Sequence, residues 1–590
     1  MWEQAAAAVV LLPFSFNTIH PFYPAMMNTK QLLSLAAFGA TGMLCSAEEY
    51  GAFHVTPLHD NVRMVHGQQL SPQDATADIR MSGWRGERVT AQFAARLETS
   101  EDKSTLIVEL EGACDLRSED GRSTIHAGVL GVDAVLAHGK PVADVIYTPE
   151  IAIGVNEPQL FLLQVDIPAD AAPGVYRGEL VVSSLNVKPA RIPVELVVEG
   201  AVLPKPSEWQ FHLDLWQHPQ SIARVHQVQP WSEAHFDAMR PYMQMLAEAG
   251  QKVITCTLLD EAWNGQTHDD FPSNIEWIKG KDGTWRYDFS AFDAWVSFMM
   301  DEIGIREQIS CYTMVPWHMK VRYLDEATGT YKHIKLDVNK PVWEETWGPF
   351  LTAFRAHLRE KGWLEKTCIA LDERPDHMAR AAKAMVDKYA PELRIVSAVD
   401  KPSAFTREVY NLSPIITHAD TVLGDLLAER KAQGKKTTIY VCLHPQKPNT
   451  FTFSPPAEAE WLGLFVAANQ LDGFLRWAYN SWNAQPLDCT DFGKWPSGDC
   501  FLVYPSMDRY CLSSIRFERL RDGIEAAEKI RLLRERAAAL GTPEAQASIA
   551  TLNRELAAIF TVARSKGNSH AEDVSRARKL ISDATRALFP

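Results

Sequence analysis

The sequence predicts a mixed α/β protein in which a (β/α)8 barrel of TIM type follows an N-terminal β-sandwich and precedes a C-terminal helical segment. Three observations predict it. Short alternating apolar runs, punctuated by Pro and Gly, fill residues 48–203. Over 204–520 the pattern becomes strand, loop and helix, repeated eight times. Over 521–590 the chain is helical in spacing and rich in Ala, Arg and Glu.

The chain opens with a complication. Met27-Asn28-Thr29-Lys30 starts a short positive region, Leu32 to Leu44 is apolar, and Cys45-Ser46-Ala47 supplies small residues before Glu48. That is the pattern of a secretory signal at about 27–47, with residues 1–26 an upstream extension, and it predicts a periplasmic or secreted protein. Gly42-Met43-Leu44 before Cys45 is a poor lipid-attachment box, and the apolar stretch is too short and interrupted for a membrane span.

In the sandwich the runs Val89 to Phe93, Leu106 to Leu110, Leu160 to Val165, Val175 to Val182 and Ile192 to Val198 alternate with period two. The turn Ala172-Pro173-Gly174 precedes the fourth of these. One tryptophan, Trp84, falls in this part, so scaffolding is favoured over sugar binding. Leu203-Pro204-Lys205-Pro206-Ser207 is a linker stiffened by proline.

The eight expected barrel strands are Gln210 to Leu215, Val253 to Leu259, Ile309 to Val315, Thr367 to Leu371, Arg394 to Val399, Ile415 to Thr417, Thr437 to Leu443 and Gly473 to Tyr479. Helices are expected at Ala234 to Ala249, Phe292 to Glu302, Trp347 to Lys361 and Asp376 to Tyr389. In the tail, Glu518 to Ala539 and Pro543 to Ala563 form a helical hairpin across Gly541-Thr542, and Ala571 to Leu588 is a third helix.

Composition excludes some classes. With 590 residues, 46% hydrophobic, 23% charged and a net charge of -15, the chain is a multidomain globular protein without the clustered Lys and Arg that phosphate backbones need, so no nucleic-acid partner is expected. There is no HExxH, Gly-rich phosphate loop or GxSxG, so no metal, cofactor or serine-nucleophile reading has support. The nine cysteines lack CxxC spacing. Cys256, Cys311, Cys368 and Cys442 sit in apolar runs as small hydrophobes, and Cys489 with Cys500 is the one disulfide considered. A neutral carbohydrate substrate fits this balance without being required by it.

In a barrel of this kind the active site gathers at the carboxyl ends of the strands. There the sequence puts His212, Asp214, Trp216 and Gln217 on the first strand, Trp317 after the third, Asp372 and Glu373 on the fourth, and Trp477, Tyr479, Asn480 and Trp482 on the eighth. Two adjacent carboxylates where a buried strand opens are costly to desolvate and therefore the first candidates for chemistry. Fifteen of the seventeen tryptophans fall between Trp209 and Trp495, and flat rings pack on the apolar face of a pyranose. Trp295, Trp347 and Trp461 are read as helix packing, whereas Trp477, Trp482 and Trp495 are read as pocket walls. A second pair, Asp260-Glu261, also follows an apolar run and is read as loop solvation or a leaving-side contact.

Leu371-Asp372-Glu373-Arg374-Pro375, Phe211-His212-Leu213-Asp214-Leu215-Trp216-Gln217-His218-Pro219, Trp477-Ala478-Tyr479-Asn480-Ser481-Trp482 and Gly498-Asp499-Cys500-Phe501-Leu502-Val503-Tyr504-Pro505 together resemble glycoside hydrolase family 123. The resemblance implies an exo-acting β-N-acetylgalactosaminidase with a sandwich ahead of a barrel and a substrate-assisted retaining mechanism. It implies that Asp372 orients the 2-acetamido group and that Glu373 is the acid/base. Adjacency agrees: an ordinary retaining pair stands roughly 5–5.5 Å apart across the sugar on different strands, whereas neighbours on one strand point apart and suit divided roles. The two carboxyls resist double ionisation, which is expected to keep Glu373 protonated while Asp372 stays charged.

The remaining candidates carry alternatives. Tyr479 bonds the acetamide oxygen or the backbone, and Asp499 and Asn480 bind sugar hydroxyls or stabilise turns. His212 and Asp214 bind hydroxyls or hold each other inside the barrel, while Arg374 pairs with either carboxylate or with another strand. A β-N-acetylglucosaminidase and an inactive secreted glycan-binding protein remain the alternative functions, and aglycone, linkage and oligomeric state are open.

Overall fold

The computed structural model describes residues 51–99, 108–109, 111–147, 152–153, 157–506, 508 and 510–590. The signal sequence and upstream extension lie outside the described residues. So does most of the expected strand Leu106 to Leu110, of which Val108–Glu109 is described and is strand.

Alternation builds the first region as expected. Thr124–Ala137 and Gly174–Ser184 bury alternate side chains, and Phe53, Phe93, Phe161, Leu180 and Leu196 fill the core between the inner faces. The sheet runs Ala52–Leu58, Arg88–Glu98, Gln159–Asp166, Thr124–Ala137, Glu111–Ser118, Gly174–Ser184, Val187–Val202, Ile79–Arg85. It curls far enough for Ala52 to pair with Lys188, giving a region between a sandwich and a barrel.

Eight parallel strands then form a nearly closed barrel, consistent with a TIM-like fold: β1 His212–Leu215, β2 Val253–Thr257, β3 Gln308–Tyr312, β4 Thr367–Asp372, β5 Arg394–Val399, β6 Asn411–Pro414, β7 Lys436–Tyr440 and β8 Gly473–Arg476. β8 pairs with both β7 and β1. The seam between β1 and β2 has one backbone bridge, Leu213 to Gln251. Side chains supply the rest. The Gln251 amide oxygen accepts from Leu215 N–H at 3.0 Å and its NH2 donates to Val253 O at 2.7 Å, while Gln217 accepts from Thr255 N–H at 2.9 Å. These buried amides stand in for ladder bonds that the two strands do not make.

The sixth strand departs from expectation. Ile415 to Thr417 is not strand; Ile416–Thr421 is a 3-10 turn and the strand lies just before it at Asn411–Pro414. Only Leu412 of β6 faces the outer core, while Asn411 and Ser413 are buried polar residues, so no apolar run marks it.

A second departure is a four-stranded sheet built from the loops after β2 and β3: Trp285–Asp288, Glu276–Lys279, Lys320–Asp325 and Thr330–Lys335 in that order. Its signal was present as Asp282-Gly283 between Trp277 and Trp285, the residue pair that a tight hairpin turn favours, and Gly283 takes φ 83°.

The tail is Ile515–Leu540, Pro543–Ile559 and His570–Leu588, the first two capped by the Ser514 and Thr542 side chains. Ile515–Leu540 crosses the barrel helix Pro456–Ala468 where two glycines meet. A Cβ on Gly463 would stand 2.3 Å from the Gly523 backbone, so any side chain there would push the helices apart. The tail also ties the first region to the barrel, through Trp84 Nε1 donating to Thr585 Oγ1 at 3.0 Å and the buried pair Arg516–Asp144 at 2.8 Å. Cys489 and Cys500 are both free thiols, so the considered disulfide is not formed. No helix among the described residues is long and apolar enough to cross a membrane.

Candidate active site

β4 reads Thr-Cys-Ile-Ala-Leu-Asp, and period two sorts it: Ile369 and Leu371 face the helices, whereas Cys368 and Ala370 face the barrel axis. Asp372, next in the inner row, is paired in register with Ala398 at the end of the ladder. Small side chains beneath it leave the axis open. Continued parity would send Glu373 outward, but Glu373 has φ 47° while its N–H still bonds Ala398 O at 3.0 Å. This left-handed turn costs about 1–2 kcal/mol for a residue other than Gly. It brings Glu373 to the mouth, where Tyr440, the last residue of β7, donates its hydroxyl hydrogen to Glu373 Oε1.

Asp372 is half-buried and accepts one hydrogen bond from a side chain, Trp317 Nε1–H to Oδ2 at 3.1 Å. The Arg374 guanidinium lies 4.8 Å over the Trp317 ring and makes no ion pair with either carboxylate among the described residues. Burial, and then the Glu373 charge, push the Asp372 carboxyl up to about 7, against the Trp317 indole N–H, Arg374 and the Trp263 indole N–H, which lower it. This corrects the expected division of charge. Asp372, expected to stay charged, is held toward its neutral form, because it is the member of the pair that points into the barrel.

Aromatic residues wall the mouth. Trp216, Trp263 and Tyr312 form a triad with ring centroids 5.2, 4.5 and 5.2 Å apart. The Trp216 indole N–H is buried without a hydrogen-bond partner, and the buried Trp263 N–H lies near enough to Asp372 to favour its charged form without making a bond of ordinary geometry. Trp477 packs against this same cluster and stands 5.5 Å from Trp495. A cleft of about 430 Å³ runs outward between Trp263, Trp317, Phe492 and Trp495, and Trp317 is 38% exposed in it. Volume and lining suit a sugar ring or two.

The predicted residues divide. Asp372, Glu373, Trp216 and Trp477 come together at the mouth, joined by Trp317 and Trp495. Asp499 stands behind this wall: fully buried, it pairs with Arg476 at 2.9 Å and accepts from Trp477 Nε1–H at 3.0 Å, so it holds the indole and offers nothing to a sugar directly. Asn480 is likewise buried, its amide clamping both the N–H and the carbonyl of His218. Tyr479 and Trp482 are not at the mouth. The β8 ladder ends at Arg476, and beyond it parity lapses: Tyr479 lies in the outer core with its hydroxyl on Tyr242 O at 2.9 Å, and Trp482 donates to Val503 O at 2.7 Å.

His212 is at the opposite end of the barrel, fully buried, with Nδ1 3.4 Å from the Glu307 carboxylate; burial keeps it neutral-leaning by lowering its pKa. Asp214, one layer up, has a buried Oδ1 without a partner, and burial alone raises it to about 7. No hydrogen bond joins His212 and Asp214 among those of the described residues.

Sequence reasoning missed Trp263, Tyr312 and Tyr440. Tyr312 and Tyr440 close β3 and β7 on the inner face, so parity counted back from the strand ends would have found them; Trp263 lies in a loop and had no such mark.

The glycoside hydrolase 123 catalytic-domain model matches residues 216–533. A family 123 glycoside hydrolase from Clostridium perfringens, whose structure was analysed for glycolipid glycan hydrolysis, superposes with a TM-score of 0.80 at 24% identity, covering 91% of this chain and 98% of that one. The two share their fold. A Bacteroides ovatus GH5 xyloglucanase in complex with a heptasaccharide matches at 8% identity and a TM-score of 0.29, over 76% of this chain and 98% of that one, too distant to carry argument. No curated protein matches the sequence.

Proposed function

The chain belongs to glycoside hydrolase family 123, and from that premise we propose that it is a retaining exo-glycosidase that removes terminal β-linked N-acetylgalactosamine from glycans, glycosphingolipid oligosaccharides among them, with the substrate's own 2-acetamido group as nucleophile. The observation that carries the reading is the pair itself. Asp372 points inward with a single indole donor, which leaves acceptor capacity for an acetamide N–H. Glu373 is brought to the same mouth by a strained turn, so both carboxylates reach the sugar from one strand end and do not face each other across it. A nucleophile is therefore wanted from the substrate.

In this scheme the sugar stacks on the Trp216 and Trp477 side of the mouth. Glu373 gives its proton to the glycosidic oxygen while the acetamide oxygen attacks the anomeric carbon, and ionised Asp372 stabilises the N–H of the oxazolinium-like intermediate. Water, deprotonated by Glu373, then opens that ring with net retention. The acetamide N–H also favours the charged form of Asp372 on binding, offsetting the burial that raises it. The glycolipid-glycan substrate of the Clostridium perfringens enzyme supports a glycan aglycone, and the cleft along Trp317 and Trp495 has the aromatic lining for one.

The test is a panel of chromogenic β-GalNAc, β-GlcNAc and β-Gal substrates. Turnover of β-GalNAc alone is the expected result. β-Gal cleaved as fast as β-GalNAc sinks substrate assistance, since galactose has no acetamide, and preference for β-GlcNAc reassigns the sugar. Binding without turnover of any sugar makes the protein a lectin.

A further inference from the structure

Glu373 is the exposed member of the pair, on a left-handed backbone at the rim of the barrel. A glutamate side chain in that position has several rotamers open to it, and a carboxyl group misplaced by about 1 Å costs up to roughly 100-fold in rate. Something has to hold it. Among the described residues one side chain does: Tyr440, whose hydroxyl donates to Glu373 Oε1.

Tyr440 is itself well held. Its ring is 4% exposed and packs inside the barrel in the cluster that includes Cys368, Ala370 and Leu475. It ends β7, three strands from β4 around the sheet with β5 and β6 between them, so its hydroxyl approaches Glu373 across the mouth and not from the same strand pair. Burial, then the Glu373 charge, push the hydroxyl well above its ordinary range; it remains a donor at any pH at which the protein works.

We propose that Tyr440 is the positioning residue of the acid/base: it fixes one carboxyl oxygen of Glu373 and thereby aims the other at the glycosidic oxygen. The inference rests on the reading of Glu373 as that acid/base. In the first step the proton on Oε2 passes to the glycosidic oxygen as the bond from that oxygen to the anomeric carbon breaks and its electron pair leaves with the oxygen; Tyr440 keeps its own proton. In the second step the same Oε2 takes a proton from the water that attacks. Tyr440 acts in both steps through Glu373 and exchanges no proton itself.

The test compares wild type, Tyr440→Phe, Glu373→Gln and the double variant on two β-N-acetylgalactosaminides, one with an alkyl leaving group and one with 2,4-dinitrophenolate, which departs without protonation. Tyr440→Phe is expected to lower kcat/KM for the alkyl glycoside roughly 10- to 100-fold, to lower it at least about ten times less for the dinitrophenyl glycoside, and to act on kcat more than on KM. The double variant is expected to be no slower than Glu373→Gln, because a residue that acts through Glu373 has nothing left to act on. Equal losses on both leaving groups, no loss at all, or a double variant slower by the full Tyr440 factor overturns the proposal. If Phe is not accepted in the barrel, Tyr440→Leu, which also lacks the hydroxyl that donates to Glu373 Oε1, carries the same comparison with the same supporting and overturning outcomes. If wild type cleaves neither glycoside, or Glu373→Gln cleaves the alkyl glycoside like wild type, it is the acid/base reading that has failed.

Discussion

Two Asp-Glu pairs stand at barrel strand ends in this molecule. Asp260-Glu261 follows the apolar run of β2 and Asp372-Glu373 that of β4, and both glutamates take left-handed backbone, at φ 52° and 47°. Their oxygens are used differently. Asp260 accepts from Ser273 N–H and from Arg322, each at 2.8 Å, and Glu261 accepts from Phe271 N–H at 2.5 Å and Gly265 N–H at 2.7 Å. All four oxygens are spent on closing one loop and fastening the strand Lys320–Asp325 beside it. In the β4 pair an indole and a phenol occupy one oxygen each, and the other two remain for a ligand. What separates a working carboxylate from a structural one here is unspent acceptor capacity facing a cleft.

The largest effect belongs to Glu373. Glu373→Gln keeps the size and removes the proton, and it is expected to lower kcat/KM for alkyl glycosides by about 100- to 10,000-fold, measured against Glu261→Gln in the same assay. Equal losses in the two variants would erase the distinction between the pairs.

Asp372→Asn comes next, and it has a pH signature. The Asp372 carboxyl, pushed up to about 7, must be ionised to hold the acetamide N–H. In the free enzyme the ionised fraction falls about tenfold per unit of pH below that value, so kcat/KM is expected to show an acid limb with its midpoint near 7. Activity that stays flat from pH 8 down to 5 would show that Asp372 is not needed as an anion. The residual activity of Asp372→Asn is expected to lack the limb.

The contrast between the pairs also marks where the sequence was readable. Asp372, Trp216 and Trp477 were legible because each falls in the inner row counted along its strand, whereas Glu373 was named by its adjacency to Asp372, since the same count would have sent it outward. Tyr479 and Trp482 were not, because the count has no authority after the ladder ends at Arg476. Asp499 was recognised as part of the site by its motif, but a sequence says nothing about whether a carboxylate touches the sugar or the tryptophan behind it. β6 escaped because a four-residue strand with two inward polar side chains has no apolar signature. Nor could sequence reveal that Asp260 and Glu261 spend all their oxygens at home, since their partners are mainly backbone N–H groups brought in by a loop.

Asp214 adds a third kind of carboxylate, buried, neutral-leaning and unpaired. Its folded pKa, about 7, is above the unfolded value of about 3.9, so the native state binds more protons between those values. Stability is therefore lost as pH rises from about 4 to about 7 and changes no further above it. The loss is of the order of a few kcal/mol. Asp214→Asn is expected to remove that slope, making the variant gain on wild type in urea unfolding at pH 8 relative to pH 5. An unchanged difference at the two pH values would mean that Asp214 has a partner or water that neutralises the cost of burial.

The smallest effects test the structural pair. Glu261→Gln turns one side-chain oxygen that accepts from a backbone N–H into an NH2 donor facing that N–H, and a loss of about 1 kcal/mol in unfolding free energy is expected. Asp260→Asn gives up a partly exposed ion pair with Arg322, where solvent and salt screen the attraction, so a loss of under about 1 kcal/mol is expected. Salt then decides what that loss is made of. If the Arg322 charge accounts for it, the gap between wild type and Asp260→Asn narrows in 1 M NaCl, where the screening length is about 3 Å; if the Ser273 N–H bond accounts for it, the gap persists. In either case turnover is expected to stay within about twofold, because both Asp260 oxygens already serve the loop. A fall in kcat/KM beyond tenfold would mean that the loop closed by Asp260 and Glu261 shapes the aromatic cleft, and unspent oxygens alone would then no longer divide the two pairs.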